Sequence, residues 1–201
     1  MGKSRSHHMI RLLRLALFLT TIQLALATTI APVKLRDLFT QADTVAIVRI
    51  LSGDSENYDV TVYKAEVLLA FKGASQSEKV YFGPYTSFGI GEEYVVFLKK
   101  SEKGLEPKEK SPGLNYGPIK RFLRIMYGGF SVMPVEYACV FDGKEIREQC
   151  DYGVKLNPKQ VVLPKDIRTF PAGAPTSVTN YNQWVRKDAL VALLKQVAIQ
   201  N

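Results

Sequence analysis

Few residues of this chain could do chemistry, and their spacing argues against most enzymatic mechanisms. The only histidines are His7 and His8, both inside the first 14 residues. Without that segment the chain has no imidazole, and so no Ser-His-Asp triad, no Cys-His dyad and no histidine-ligated metal. It also loses the side chain that ordinarily changes charge near neutral pH. Glu92-Glu93 could supply paired carboxylates for glycoside cleavage. In a strand, however, adjacent residues face opposite sides, so the pair cannot straddle a glycosidic bond and reads as edge charges. Asp54, Glu56, Asn57 and Asp59 collect oxygen donors in one turn, as calcium loops do. The glycine and closing glutamate of an EF-hand loop are missing, and the alternative is a solvated hairpin turn. No cofactor and no metal is expected from these residues.

Two segments could bind rather than react. The first, YFGPYTSFGIG (81–91), places Tyr81, Tyr85 and Phe88 in a Gly/Pro-rich stretch. Rigid amphipathic rings make good contact residues. Strand alternation would instead turn half of them into a core, and only an exposed contiguous patch would make a surface of them. In the second, Lys120, Arg121 and Arg124 interleave with Phe122, Tyr127 and Phe130. Basic and aromatic residues on a small barrel can grip single-stranded nucleic acid. The competing reading is an amphipathic strand with a solvated basic face.

The compartment bears on that choice. Residues 1–14 carry Lys3, Arg5, Arg11 and Arg14 and no acid, and residues 15–27 (LALFLTTIQLALA) carry no charge. The run ends in Ala25-Leu26-Ala27, giving the basic, apolar, small-residue order of a secretory signal peptide. Its competitor is an uncleaved anchor, but threonines, Gln23 and Pro32 dilute the apolar stretch. Cleavage after Ala27 would start the mature chain at Thr28 and make the protein periplasmic or secreted, with no stable membrane anchor. The formal charge of +8 would fall to +4, because four of the 27 basic residues leave with the signal while all 19 acids remain. That mild excess and the exported location disfavour nucleic acid and leave an anionic lipid headgroup or glycan open. Export also makes a disulfide of Cys139 and Cys150, the only cysteines. Their spacing is not that of a C-x-x-C redox motif.

The elements that must position these residues can be read from periodicity. Leu35, Leu38, Phe39 and Ala42 fall on one face of a short helix. Strands are expected at 44–51, 58–71, 78–83, 92–100, 119–127 and 130–141, with Tyr58, Val60 and Val62 sharing a face. The long second strand should bend or bulge, as barrels require. Residues 101–113 read as a polar loop, Asp142-Gly143 as a hairpin turn and 171–180 as a linker. A final helix is expected over 181–199, opened by Asn180 and Gln183 as a capping box. It would dock through Trp184, Val191, Leu194 and Ala198, with Leu190, Leu193 and Val197 widening the face. The fold class is mainly β with flanking helices: an OB-like antiparallel β-barrel over 28–170, followed by the C-terminal helix of 181–201.

The stretch Leu38-Phe39-x-x-Ala42-Asp43-x-Val45, the run from Tyr58 through Val67 to Phe71-Lys72-Gly73, and Gly91-x-x-Tyr94-Val95-Val96-Phe97-Leu98 carry a family pattern. Over roughly residues 35–100 the chain resembles the tissue inhibitor of metalloproteinases and netrin-module superfamily, most of all its cysteine-poor bacterial relatives. The resemblance implies an OB-fold barrel and an extracytoplasmic, non-enzymatic binding role. The inhibitors reach the protease zinc with an N-terminal Cys-x-Cys, whereas the mature chain here would begin Thr28-Thr29-Ile30. No inhibitory residue therefore carries over.

The expectation is an exported binding module without catalytic residues, acting on an extracytoplasmic protein, a glycan or an envelope component. The alternatives are an exported carboxylate-dependent hydrolase and a protease inhibitor acting through a surface loop. A hydrolase needs two titratable groups converging in one pocket; a binding module needs only a contiguous exposed surface.

Overall fold

The computed structural model describes residues 31–85, 88–108, 116–142, 145–157, 159–171 and 183–200, with backbone alone for 138–142, 145–149 and 171. The expected signal segment, the cleavage site at Thr28, Gly143 of the hairpin turn and residues 172–180 of the linker lie outside the described residues.

Two-residue strand β1 (Val33–Lys34) leads into helix α1 (Leu35–Gln41). Strands β2 (Thr44–Asp54), β3 (Val62–Lys72), β4 (Lys79–Gly83), β5 (Glu93–Lys100) and β6 (Phe122–Ile125) follow. They close a five-stranded barrel in the order β2-β3-β4-β6-β5 and back to β2. Every pairing in the ring is antiparallel except β4 with β6. The expected OB-like barrel is thus the observed one, with β3 and β4 paired through Ala65 and Val80. Three register shifts along β2–β3 supply the expected bulges. They let long strands turn the corners of a small barrel.

The second barrel strand starts later than its alternation implies. Tyr58 and Val60 lie before β3, and Tyr58 is buried with Val62, Ile119 and Phe122 in a small separate cluster. A buried ring in a loop mimics strand alternation, and that is the source of the error.

Strands β2 and β5 are buried on both faces. Ala46, Val48 and Ile50 face the barrel interior with Tyr94, Val96 and Leu98. Val45, Ile47, Val95 and Phe97 face a second core. Two-sided burial explains the near-continuous apolar runs TVAIVRIL and YVVFL. The second core is closed by Leu35, Leu38 and Phe39 of α1, by β7 (Val132–Asp142) and β8 (Glu145–Leu156), and by helix α2 (Lys187–Ile199). Short strands β9 (Val161–Val162), β10 (Phe170–Pro171) and β11 (Gln183–Arg186) complete the fold. Strand β5 changes neighbours midway: Glu93–Val96 pair with β7, and Leu98–Lys100 with β6.

The Ala42-Asp43 and Lys72-Gly73 pairs meet at one corner of the barrel. Lys72 donates from Nζ to the carbonyls of Phe39 (3.2 Å) and Thr40 (2.9 Å), and Lys99 donates to that of Gln41 (3.0 Å). Ammonium groups thus satisfy the orphan carbonyls at the end of α1. Asp43 accepts from the Lys100 amide at 2.8 Å and Lys99 Nζ at 3.1 Å. Gly73 sits at φ +65°, and a Cβ there would lie 1.8 Å from the Asp43 carbonyl oxygen. The Ala-Asp and Lys-Gly pairs therefore lock helix to barrel.

The C-terminal segment needs correction. Residues 183–186 are strand β11, antiparallel to β8, and the helix begins only at Lys187. Gln183 is a strand residue, so the capping box does not form. Arg186 occupies the N-cap without a side-chain bond. Trp184 is buried, but on the strand: its indole lies on Gly153, with Phe170 tilted against it at 6.0 Å. The helix docks instead through Leu190, Leu194 and Val197, with Val191, Leu193 and Ala198 half-buried against the same core.

Candidate ligand groove

Outward-facing residues of β2, β3 and β4 start the site. Ser52 pairs with Lys64 across β2–β3, and Lys64 with Tyr81 across β3–β4. Alternation turns Tyr63 and Phe82 into the barrel, so Lys64 and Tyr81 stand on its outer face. The described parts of the connection between β5 and β6, 101–108 and 116–121, are joined by a Leu105–Ile119 bridge. Tyr116 stands against Tyr81, with ring centroids 5.4 Å apart and planes at 54°. Tyr116 is fixed by a 2.8 Å hydrogen bond between its hydroxyl and Ser52 Oγ and by stacking on Tyr58 at 6.2 Å. The Tyr58 hydroxyl donates to the Gly117 carbonyl at 2.8 Å. Burial pushes both the Tyr58 and Tyr116 phenols up, so both stay neutral.

Between Tyr81, Tyr116, Lys79, Lys120 and Arg121 runs an open groove of about 330 Å³. Lys64 Nζ lies 6.0 Å from the centre of the Tyr81 ring and 5.9 Å from that of Tyr116. Arg121 is committed: it pairs with Glu78 at 2.7 Å and donates to the Gly73 carbonyl. Lys64, Lys79 and Lys120 have no ion pair within 4.0 Å among the described residues, although Glu66 stands opposite Lys79 in the β3–β4 register. The walls combine aromatic and cationic residues with apolar Val80, Pro118, Ile119 and Leu123, and Glu78, the one lining carboxylate among the described residues, is already paired.

The six candidate residues divide. Tyr81, Lys120 and Arg121 meet in the groove. Arg124 is exposed on β6, on the same face as Phe122, but outside the groove lining. Tyr85 is half-buried, packs on Phe88 at 4.8 Å and borders a separate hollow of about 340 Å³ with Gly129, Phe130 and Lys155. Phe88 is not surface at all. It is buried edge-on against Tyr63 (4.7 Å), Phe82 (5.4 Å) and Tyr94 (4.7 Å), filling the barrel interior. Lys64, Ser52 and Tyr116 were not singled out in the sequence. The available signal for Tyr116 is that it is the only aromatic ring between Phe97 and Phe122.

The carboxylates are structural. Asp54 and Asn57 are buried, not solvated. Asp54 Oδ1 accepts from the Glu56 and Asn57 amides at 2.9 Å each, and Oδ2 accepts from Asn57 Nδ2 at 2.8 Å. Burial would raise the Asp54 carboxyl, but these bonds prevail and hold it below its ordinary range. Glu93 is no edge charge: it faces the second core and accepts from Arg49 and Lys187 at 2.8 Å each. Burial again opposes, and the two cations win, lowering it. Neither carboxyl has the raised affinity for a proton that a general acid needs. Among the described residues, no three metal-ligating side chains gather, and no helix is long and apolar enough to cross a membrane.

No family model, curated protein or solved structure matches this chain.

Proposed function

We propose that this protein is an exported, non-catalytic binding module of OB-like fold whose partner is an extracytoplasmic protein, a glycan or an envelope component. The observation that carries the reading is the groove: Tyr81, the anchored Tyr116 and three lysines without an ion pair among the described residues gather on the outer face of a closed barrel. The resemblance to the netrin-module superfamily supports the same role. A hydrolase draws no support from Asp54 and Glu93, whose protons are lost well below neutral pH.

Crosslinking in the native envelope followed by pull-down tests the reading. Wild-type protein should capture a partner that Tyr81→Ala with Lys120→Glu loses. An identical capture profile for both proteins would refute it.

Two processing events belong to the proposal. Cleavage should leave Thr28 as the first residue. Cys139 and Cys150 should be bridged: they are direct register partners across β7–β8, an arrangement that brings Cα atoms to roughly 4.5–5.5 Å, within disulfide reach. No free cysteine occurs among the described residues. Intact-mass measurement with alkylation of exported protein should find a chain starting at Thr28 that takes up alkylating reagent only after reduction.

A further inference from the structure

We infer that the groove is built for an acidic saccharide, a chain of sugar rings carrying carboxylates; this rests on the binding-module reading above. Charge sets the sign of the ligand. Lys64, Lys79 and Lys120 bring three ammonium groups to the groove and its edge, while Glu78 is neutralised by Arg121. The kind of cation narrows the class. The guanidinium spends two of its five N–H donors on Glu78 and the Gly73 carbonyl, so the lysines, not a paired-donor fork, are the cations left wholly to a ligand. Separate lysines act as point charges, suited to single carboxylates spaced along a chain.

The rings supply the other half of recognition. Tyr81 and Tyr116 meet at 54° and form an angled aromatic wall. Amphipathic rings of this kind accept a partner that is apolar on one face and hydroxylated at its edge, as a pyranose is. The hydrogen bond shared with Ser52 and the stacked Tyr58 fix Tyr116 beforehand, which lowers the ordering cost of binding.

The surroundings disfavour other anions. An acidic peptide would gain affinity by adding a strand, yet β4 is already paired on both sides, by β3 and β6. A membrane surface would need exposed apolar side chains beside the cations. The exposed large apolar residues Leu51, Ile90, Tyr137, Tyr152, Val162 and Ile199 all lie elsewhere, and the exposed apolar residue in the lining is the small Pro118.

The test is titration calorimetry on the exported protein with four probes: tetragalacturonate, maltotetraose, a hexaglutamate peptide and phosphatidylglycerol vesicles. Tetragalacturonate should bind, more weakly as salt rises, and maltotetraose should not. Tyr81→Leu should weaken binding roughly three- to tenfold, the scale of one lost ring contact. Lys64→Gln with Lys120→Gln should weaken it to a similar extent while leaving the melting temperature unchanged. If Tyr81→Leu fails to fold, the lysine pair alone decides. Equal binding of maltotetraose, tighter binding of hexaglutamate or of vesicles, or no binding of tetragalacturonate would each overturn the assignment. A partner whose capture still depends on Tyr81 and Lys120 would then keep the binding-module reading while the saccharide fails. Loss of that dependence would sink both.

Discussion

Glu93 and Tyr94 are chain neighbours whose side chains leave β5 on opposite faces, and each ties stability to a different end of the pH scale. The Tyr94 hydroxyl donates to Glu92 at 2.5 Å and accepts from the Gly89 amide at 3.0 Å. Burial, reinforced by the Glu92 carboxylate, pushes its phenol up to about 12. The folded state therefore holds this proton more tightly than the unfolded chain. The resulting stabilisation is complete below pH 10 and is lost as pH rises through about 12. Tyr94→Phe should flatten that alkaline slope and cost about 1–3 kcal/mol at neutral pH, since two hydrogen bonds are lost, one of them to a carboxylate. Urea titrations across the alkaline range would show it; an unchanged slope would mean that Tyr94 is not the group responsible.

Glu93 works at the acid end. Its folded carboxyl lies below the ordinary value of 4.5 because Lys187 and Arg49 outweigh burial. Its contribution is present above that value and lost as pH falls through the folded one. Glu93→Gln should remove this acid dependence. It should also cost about 1–2 kcal/mol at neutral pH, since a hydrogen bond to a charged group is lost at a partly exposed site. Chemical denaturation at neutral pH and at pH values below 4.5 measures both effects. The expectation that both carboxylates are edge charges rests on period-two alternation, but Glu92 lies before β5 and only Glu93 is a strand residue. The partners of Glu93 were not legible, because Lys187 lies 94 positions away in the chain.

At the scale of the element, local pattern succeeded where one face sufficed and failed where two neighbouring elements share one pattern. The face of α1 is visible because Leu35, Leu38, Phe39 and Ala42 repeat at helical spacing, and all four are buried. The barrel strands are visible because bulky β-branched runs alternate with turns. The strand QWVR was absorbed into the helix that follows it, since no glycine or proline separates β11 from α2. What makes it a strand is non-local: Gly153 of β8 opens a slot for the Trp184 indole. A Cβ at Gly153 would lie 1.6 Å from an indole carbon. Gly153→Ala should therefore cost about 1–3 kcal/mol, the scale of overpacking. Trp184→Ala should cost about 3–5 kcal/mol. Gly153→Ala with Trp184→Leu should recover part of the cost of Trp184→Ala with Gly153→Ala. Melting temperatures that simply add would show that the two residues do not share a slot. The groove was half legible for the same reason. Lys120 and Arg121 announce themselves as a basic run, whereas Lys64 and Tyr116 are brought to Tyr81 only by strand register and by the connection between β5 and β6.

For the whole molecule the decisive feature is that two cores share two strands. Ala46, Val48 and Ile50 fill the barrel from one side of β2, while Val45 and Ile47 on its other side meet Leu194 and Val197 of α2. Strand β5 is divided in the same way, with Val96 and Leu98 inside and Val95 and Phe97 outside. Neither core can lose its packing without stripping one face of β2 and β5, and a strand with one bare apolar face is unstable in water. Barrel and C-terminal region should therefore unfold together, although the barrel ring closes within residues 44–125. Leu194→Ala removes side-chain volume from the outer core, and Val48→Ala does so inside the barrel. Each should destabilise, by about 2–5 kcal/mol for the leucine and somewhat less for the smaller valine. Both should move one common transition, seen at the same denaturant concentration by Trp184 fluorescence, which reports on the C-terminal region, and by far-ultraviolet circular dichroism, which reports on the sheet. If Leu194→Ala instead separates the two signals, with Trp184 released while the sheet persists, the barrel is a free-standing unit and the shared strands do not couple the cores.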